Sequence, residues 1–175
     1  GYEWDGMNKE EEPLNFSLYR TGGDFAKTIN LKIIEGRDMD FMLFPNDTSS
    51  VMLNKKAVEK IGMEDPIGKL IRSGSNKAYT IVGVFEDFII GSPYREVSPM
   101  LVLGSDKWNF NTVLRLNEHQ STAENLKIIE QVFKKYNPAY PFNYQFVDRQ
   151  YAQKFKNEKQ TAVLSALFAG LTIFI

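Results

Sequence analysis

Residues 51–88, VMLNKKAVEKIGMEDPIGKLIRSGSNKAYTIVGVFEDF, restrict the possible folds of this chain more than any other stretch. The apolar run at 50–53 predicts a short strand. Asn54 is placed to cap a turn of helix after it, because its side-chain oxygen can accept an orphan backbone N–H. Ala57, Val58 and Ile61 share one helical face, and Gly62 stands where a left-handed residue ends a helix. Asp65-Pro66 then forbids more helix, since proline lacks an N–H and restricts the residue before it. An apolar strand follows at Leu70-Ile71, and Ser73-Gly74-Ser75-Asn76 is turn chemistry. Residues 79–85 are the densest run of β-formers in the chain, interrupted by Gly83. A glycine inside a strand marks a bulge or a close backbone approach.

Upstream, Tyr2 and Trp4 are expected to pair in strand form, and Glu10-Glu11-Glu12 reads as a solvated loop. Residues 14–19 alternate as a strand, with Leu14, Phe16 and Leu18 on one face. Gly22-Gly23-Asp24 is a turn, with Asp24 capping a short helix that carries Phe25, Ala26 and Ile29. Residues 31–34 form a strand closed by Gly36, and 38–50 a loop. Asp38, Asp40 and Asp47 do not match the spacing of a calcium-binding loop; Asp47 reads as a turn residue of Pro45-Asn46-Asp47. Phe41-Met42-Leu43-Phe44 is either tucked under the fold or exposed as a partner patch. The preference for burying large apolar side chains favours the tucked arrangement.

Downstream, 89–94 is a loop, 100–103 a strand ended by Gly104, and 106–110 a turn carrying Trp108. Residues 113–116 alternate as a strand with Arg115 outward. Ser121 and Glu124 form a capping box for a helix over 121–136, striped by Leu126, Ile129, Phe133 and Tyr136 and stopped by Asn137-Pro138. Residues 142–147 alternate again, with Phe142, Tyr144 and Phe146 on one face. The two strands and the helix between them are expected to pack as a βαβ-sized unit.

Asp148 is read as the cap of a second long helix, lysine-rich to Lys159. Its character then changes: TAVLSALFAGLTIFI carries no charge. A membrane span needs about 20 apolar residues, and this run is apolar all round, with Ala162, Ala166, Ala169 and Gly170 suited to helix packing in lipid. It is read as the start of a transmembrane helix carrying Thr161, Leu164, Leu167, Phe168, Leu171 and Phe174. Lys154, Lys156 and Lys159 precede it on what would be the external side, against the positive-inside bias. The first thirteen residues have neither the basic nor the apolar region of a signal peptide, and without an initial Met the natural protein is expected to begin before Gly1.

The phrases VMLNKKAVEKIG, DPIGKLI and YTIVGVFEDF, preceded by Asp24-Phe25 through Leu31 and by Glu35-Gly36-Arg37-Asp38, resemble the extracytoplasmic core domain of MacB-type ABC transporter permeases, the FtsX-like group. Lys55 replaces the usual Glu after Asn54, and Met39 stands where an aromatic is common; neither touches chemistry. The resemblance implies an α+β fold in which a mixed βαβ-type layer carries a mostly β inserted subdomain. Residues 1–23 and 111–150 would form the first part, incomplete at its N-terminus, and 24–110 the second. Residues 151–175 would be a stalk helix entering the membrane. It further implies a non-catalytic domain, without cofactor or metal, on the periplasmic side of the inner membrane. Its expected partners are a cytoplasmic ABC ATPase, a second permease copy, a periplasmic adaptor or chaperone, and the lipid bilayer through the C-terminal helix.

The chemistry of the residues is consistent with that picture. At 175 residues and 43% apolar the chain can build a core. Its net charge of -1, with both signs interspersed, argues against nucleic acid as a partner. Without cysteine it has neither a disulfide framework nor a thiolate site. No nucleophile elbow, P-loop, zinc-protease or dinucleotide motif occurs. His119, in a polar turn, has no second histidine to support it, and Glu86-Asp87 reads as a solvated strand end rather than a catalytic pair. The alternative to a permease domain is a membrane-anchored ligand-binding or sensory domain.

Overall fold

The computed structural model describes residues 1–4, 6–7, 14–74, 77–89, 96–107, 111–149, 161, 163–170 and 172. Packing divides the chain into two units, Gly1–Arg115 and Leu116–Ile175.

The first unit is built on a mixed seven-stranded sheet. Its strands are β1 (Tyr2–Trp4), β2 (Ser17–Thr21), β3 (Ile33–Gly36), β4 (Ser50–Asn54), β5 (Leu70–Ser73), β6 (Ala78–Phe85) and β7 (Met100–Gly104). The order is β1-β5-β6-β4-β7-β2, with β3 paired to β6. β4 runs parallel to β6, with α2 (Lys55–Ile61) in the crossover, and β2 runs parallel to β7. The other pairs are antiparallel. β4 and β7 are buried along their whole length, which is why they read in sequence as unbroken apolar runs rather than alternations.

Each sheet face carries a core. Val51, Leu53, Ile71, Ile81, Leu101 and Leu103 line one, where Val58, Ile61 and Met63 add their side chains. Met52, Phe85, Met100 and Val102 line the other, together with Met39 and with Ala26 of α1 (Phe25–Ile29). The expected turn of helix is capped as its sequence predicts: the Asn54 side chain accepts from Ala57 N, and Gly62 closes the helix at φ 66°. The short N-terminal helix is capped differently. Asp24 sits in the left-handed region with no side-chain cap. The first-turn N–H of Lys27 is instead taken by Asp38 Oδ2 at 3.0 Å, from eleven residues away. The strand alternation expected over 14–19 also shifts. Phe16 packs on the first core, but within β2 it is Tyr19 that faces a core while Leu18 is exposed.

Gly83 meets both expectations for a strand glycine. The β4–β6 register slips beside it, from Val51↔Ile81 to Met52↔Gly83. A Cβ there would also overlap the Arg37 carbonyl oxygen. Gly83→Ala should therefore lower unfolding free energy by about 3 kcal/mol, the upper end for overpacking, because a backbone atom yields less than a side chain. A urea titration that leaves the midpoint unmoved would refute this.

The family resemblance implies a grouping of residues 1–23 with 111–150. In the structure β1 and β2 are hydrogen-bonded into the sheet of the first unit, to β5 and β7.

The second unit contains α3 (Thr122–Tyr136), with its capping box as predicted. The strands expected at 113–116 and 142–147 do not form. A strand exists through a neighbour, and these segments have no ladder partner, Val113 and Leu114 being half-exposed. The alternation at 142–146 instead stacks aromatics: Phe133–Phe142, Phe142–Tyr144 and Tyr144–Phe146 ring centroids are each 5.5 Å apart. Tyr136 of the predicted stripe remains exposed, as do Ile128 and Val132 of the same helix. Residues 147–149 are helical, with Asp148 Oδ1 accepting from Arg149 N at 2.8 Å. The stalk from 150 to 160 lies outside the described residues. Residues 161, 163–170 and 172 are helical, and Thr161, Leu164, Leu167 and Phe168 are exposed there; Leu171 and Phe174 fall outside the description. Among the described residues no helix is long and apolar enough to cross a membrane.

Candidate functional site

The loop after β3 returns past the sheet and is held by one ion pair. Asp47, 2% exposed, sits on a 3-10 turn over Pro45–Ser49. The Arg37 guanidinium donates to it in parallel, Nη1 to Oδ2 at 2.6 Å and Nη2 to Oδ1 at 2.8 Å. This bidentate geometry is the strong form of such a pair. Asp40 N donates to Oδ2 at 2.9 Å and Ser50 Oγ to Oδ1 at 2.8 Å. Burial pushes the Asp47 carboxyl upward, but the Arg37 guanidinium, the Asp40 N–H and the Ser50 hydroxyl outweigh it and hold the group below its usual range. Arg37 Cζ also lies 3.7 Å from the centre of the Phe44 ring.

The ion pair is the base of a turn whose tip is apolar. Asp40 Oδ1 accepts from Met42 N at 2.9 Å and Leu43 N at 3.0 Å, and Phe44 N donates to Asp40 O at 2.7 Å. Such an Asx-type brace fixes the backbone without covering the side chains. Of the four residues expected to be tucked, only Phe41 packs against a core. Met42 is 91% exposed, Leu43 72% and Phe44 43%. The correction has a local cause: the bonds that order this loop run from backbone to carboxylate, so its order does not require burying the side chains.

The other candidates disperse. Asp38 serves Lys27 N, Asp40 the tip, and Asp47 the ion pair, so the three aspartates have separate structural duties. Glu86 pairs with Lys32 at 2.7 Å, and Asp87 accepts from Asn54 Nδ2 at 2.7 Å and from Lys56 N at 3.0 Å. His119 lies in an exposed turn, its N–H bonded to Asn117 Oδ1. Among the described residues no three acidic or histidine side chains are grouped to hold a metal ion. Glu10, Glu11, Glu12 and Trp108 lie outside the described residues.

Sequence reasoning missed the ion pair. The available signal was an arginine directly after a strand-ending glycine and an aspartate in a turn ten residues on; what brings them together is the return of the loop, which no local pattern encodes.

Comparison with known proteins gives one family. The model of the MacB-like periplasmic core domain matches residues 4–132. Among solved structures, the periplasmic region of MacB from Actinobacillus actinomycetemcomitans aligns at TM-score 0.54 and 17% identity, over 80% of this chain. The chain spans 65% of that protein's length. The extracellular domain of the noncanonic ABC-type transporter YknZ from Gram-positive bacteria aligns at TM-score 0.48 and 16% identity, over 76% of this chain and 71% of that one. No curated protein sequence matches.

Proposed function

The chain belongs to the family of MacB-like periplasmic core domains, and on that premise we propose that it works as the non-catalytic external domain of an ABC transporter permease, relaying ATPase-driven motion to a partner or substrate outside the membrane. Its family places it in a membrane protein, on the side away from the cytoplasm. The reading assigns the energy source to a cytoplasmic ABC ATPase, and a second permease copy completes the machine. The stretch from Thr161 onward, with Leu164, Leu167, Phe168, Leu171 and Phe174, enters the bilayer.

One observation carries the reading beyond family membership. The apolar tip of Met42, Leu43 and Phe44 stands exposed on a braced turn, which is in turn fixed to a sheet whose central strands are fully buried. Close-packed interiors transmit displacement because they compress little. A tip fixed this way meets a periplasmic adaptor or chaperone as a rigid extension of the sheet, and moves when the sheet is moved.

The test uses the full-length permease in vesicles, with fluorophores on the external domains of two copies. Glycines inserted after Lys159 should abolish the ATP-dependent change in energy transfer while ATP hydrolysis continues. A change that survives the insertion would overturn the relay.

A further inference from the structure

We propose that the groove between β3 and α2 docks an extended, basic segment of another protein, anchored by aliphatic side chains. The groove has a volume of about 1050 Å³ and lies on the opposite side of the first unit's sheet from Met39 and Phe41, with Val84 of β6 in its lining. Val58 and Met63 supply apolar wall from the α2 side. From the other side comes Ile34, 48% exposed. Ile34 lies at the irregularity between Ile33 and Glu35, where the β3–β6 register shifts. Among the described strands β3 is paired on one edge only, with β6. Its other edge takes no strand among the described residues.

The charges choose the occupant. Five carboxylates, Glu35, Glu59, Glu64, Glu86 and Asp87, line the groove against two ammonium groups, Lys32 and Lys55. Lys32 is taken by Glu86, and Glu59 has Lys55 at 4.0 Å and Lys56 at 3.5 Å. Among the described residues Glu35 and Glu64 take no salt bridge. With Lys56 counted, a surplus of two negative charges remains around one apolar strip, against a net -1 for the whole chain. This potential repels nucleic acid and anionic lipid, and attracts lysine or arginine. The apolar strip needs a partner with aliphatic groups between those charges. A segment alternating the two kinds of side chain fits, because in extended form it presents one set to Ile34, Val58 and Met63 and the other to the rim. The inference does not depend on the transporter reading.

The probe is a labelled peptide alternating lysine with isoleucine, followed by fluorescence anisotropy against the chain. Saturable binding is expected, and a peptide with every lysine replaced by glutamate should not bind. Glu59→Lys with Glu64→Lys, two exposed sites, should weaken binding about tenfold or more. Glu118→Lys with Glu130→Lys makes the same charge change in the second unit and should alter affinity by less than about threefold. Ile34→Ser should weaken binding with charge unchanged. Circular dichroism checks that each variant is folded. The proposal is overturned if the lysine–isoleucine peptide does not bind saturably. It is equally overturned if the second-unit pair weakens binding as much as the groove pair, or if a lysine–serine peptide binds as tightly, since either marks adhesion by charge alone.

Discussion

Asn54→Asp is expected to destabilise the first unit by about 4 kcal/mol, more than Asn54→Ala, although aspartate is the closer shape and an equally good helix cap. Asn54 is 0% exposed and uses both ends of its amide. Oδ1 accepts from Ala57 N at 3.0 Å and from Met100 N at 2.7 Å, tying α2 to β7. Nδ2 donates to Asp87 Oδ1 at 2.7 Å and to the Ser98 carbonyl at 3.0 Å. Aspartate keeps the first pair of bonds and destroys the second. It places a buried carboxylate oxygen against another carboxylate and a carbonyl. Alanine loses the cap, about 1 kcal/mol, and leaves the partner groups unsatisfied, for a total of about 3 kcal/mol. Urea denaturation at neutral pH decides the order. If aspartate proves near neutral, the capping bond dominates and the donor side is idle. Adding Asp87→Asn to Asn54→Asp should recover more than about 1 kcal/mol, because an amide at 87 can donate back toward position 54 while its oxygen still accepts from Lys56 N.

The strand–helix–strand order around Asn54 was legible because its signals are local. A capping side chain, a left-handed glycine and an Asp-Pro break act within a few residues of where they sit. The buried strands VML and LVL were legible for a related reason, since a strand with both faces covered has no polar alternation to confuse. Three features were not legible, each for a physical cause. The cap of α1 comes from Asp38 rather than Asp24, because the chain passes back over the helix start. Residues 113–116 and 142–147 have a strand's alternation, yet alternation supplies only a face, and a ladder needs a second chain segment. The tip at 41–44 looked buried on average preference, while Asp40, two and three residues before the bonded N–H groups of Met42 and Leu43, was the available sign that the turn orders itself. The candidate site was therefore visible as a run of apolar residues and invisible as a geometry.

That geometry rests on Arg37 and Asp47, and Arg37→Ala should show it. Breaking a buried pair costs about 3–5 kcal/mol when the remaining charge has no other partner. Here the discount is substantial. The Arg37 side chain is 35% exposed, and Asp47 keeps donors from Asp40 N and Ser50 Oγ. The expected loss at neutral pH is about 2–3 kcal/mol. Its pH dependence separates charge from packing. In the wild type the carboxyl titrates lower folded than unfolded, so the stability it contributes is fully present above the unfolded value of about 4 and is lost as pH falls through the lower folded value. The gap between wild type and Arg37→Ala should thus be constant from neutral pH down to about 5 and shrink below about 4. If the gap stays constant to the acid limit, the guanidinium acts instead through its stacking on Phe44, which does not titrate. Loss of the pair also removes one of the contacts that hold Asp47 Oδ2 against Asp40 N, leaving the Ser50 hydroxyl on Oδ1. Amide exchange at Met42 and Leu43 should then accelerate in Arg37→Ala beyond what the global destabilisation accounts for, because the exposed tip is ordered through the ion pair and not by its own side chains.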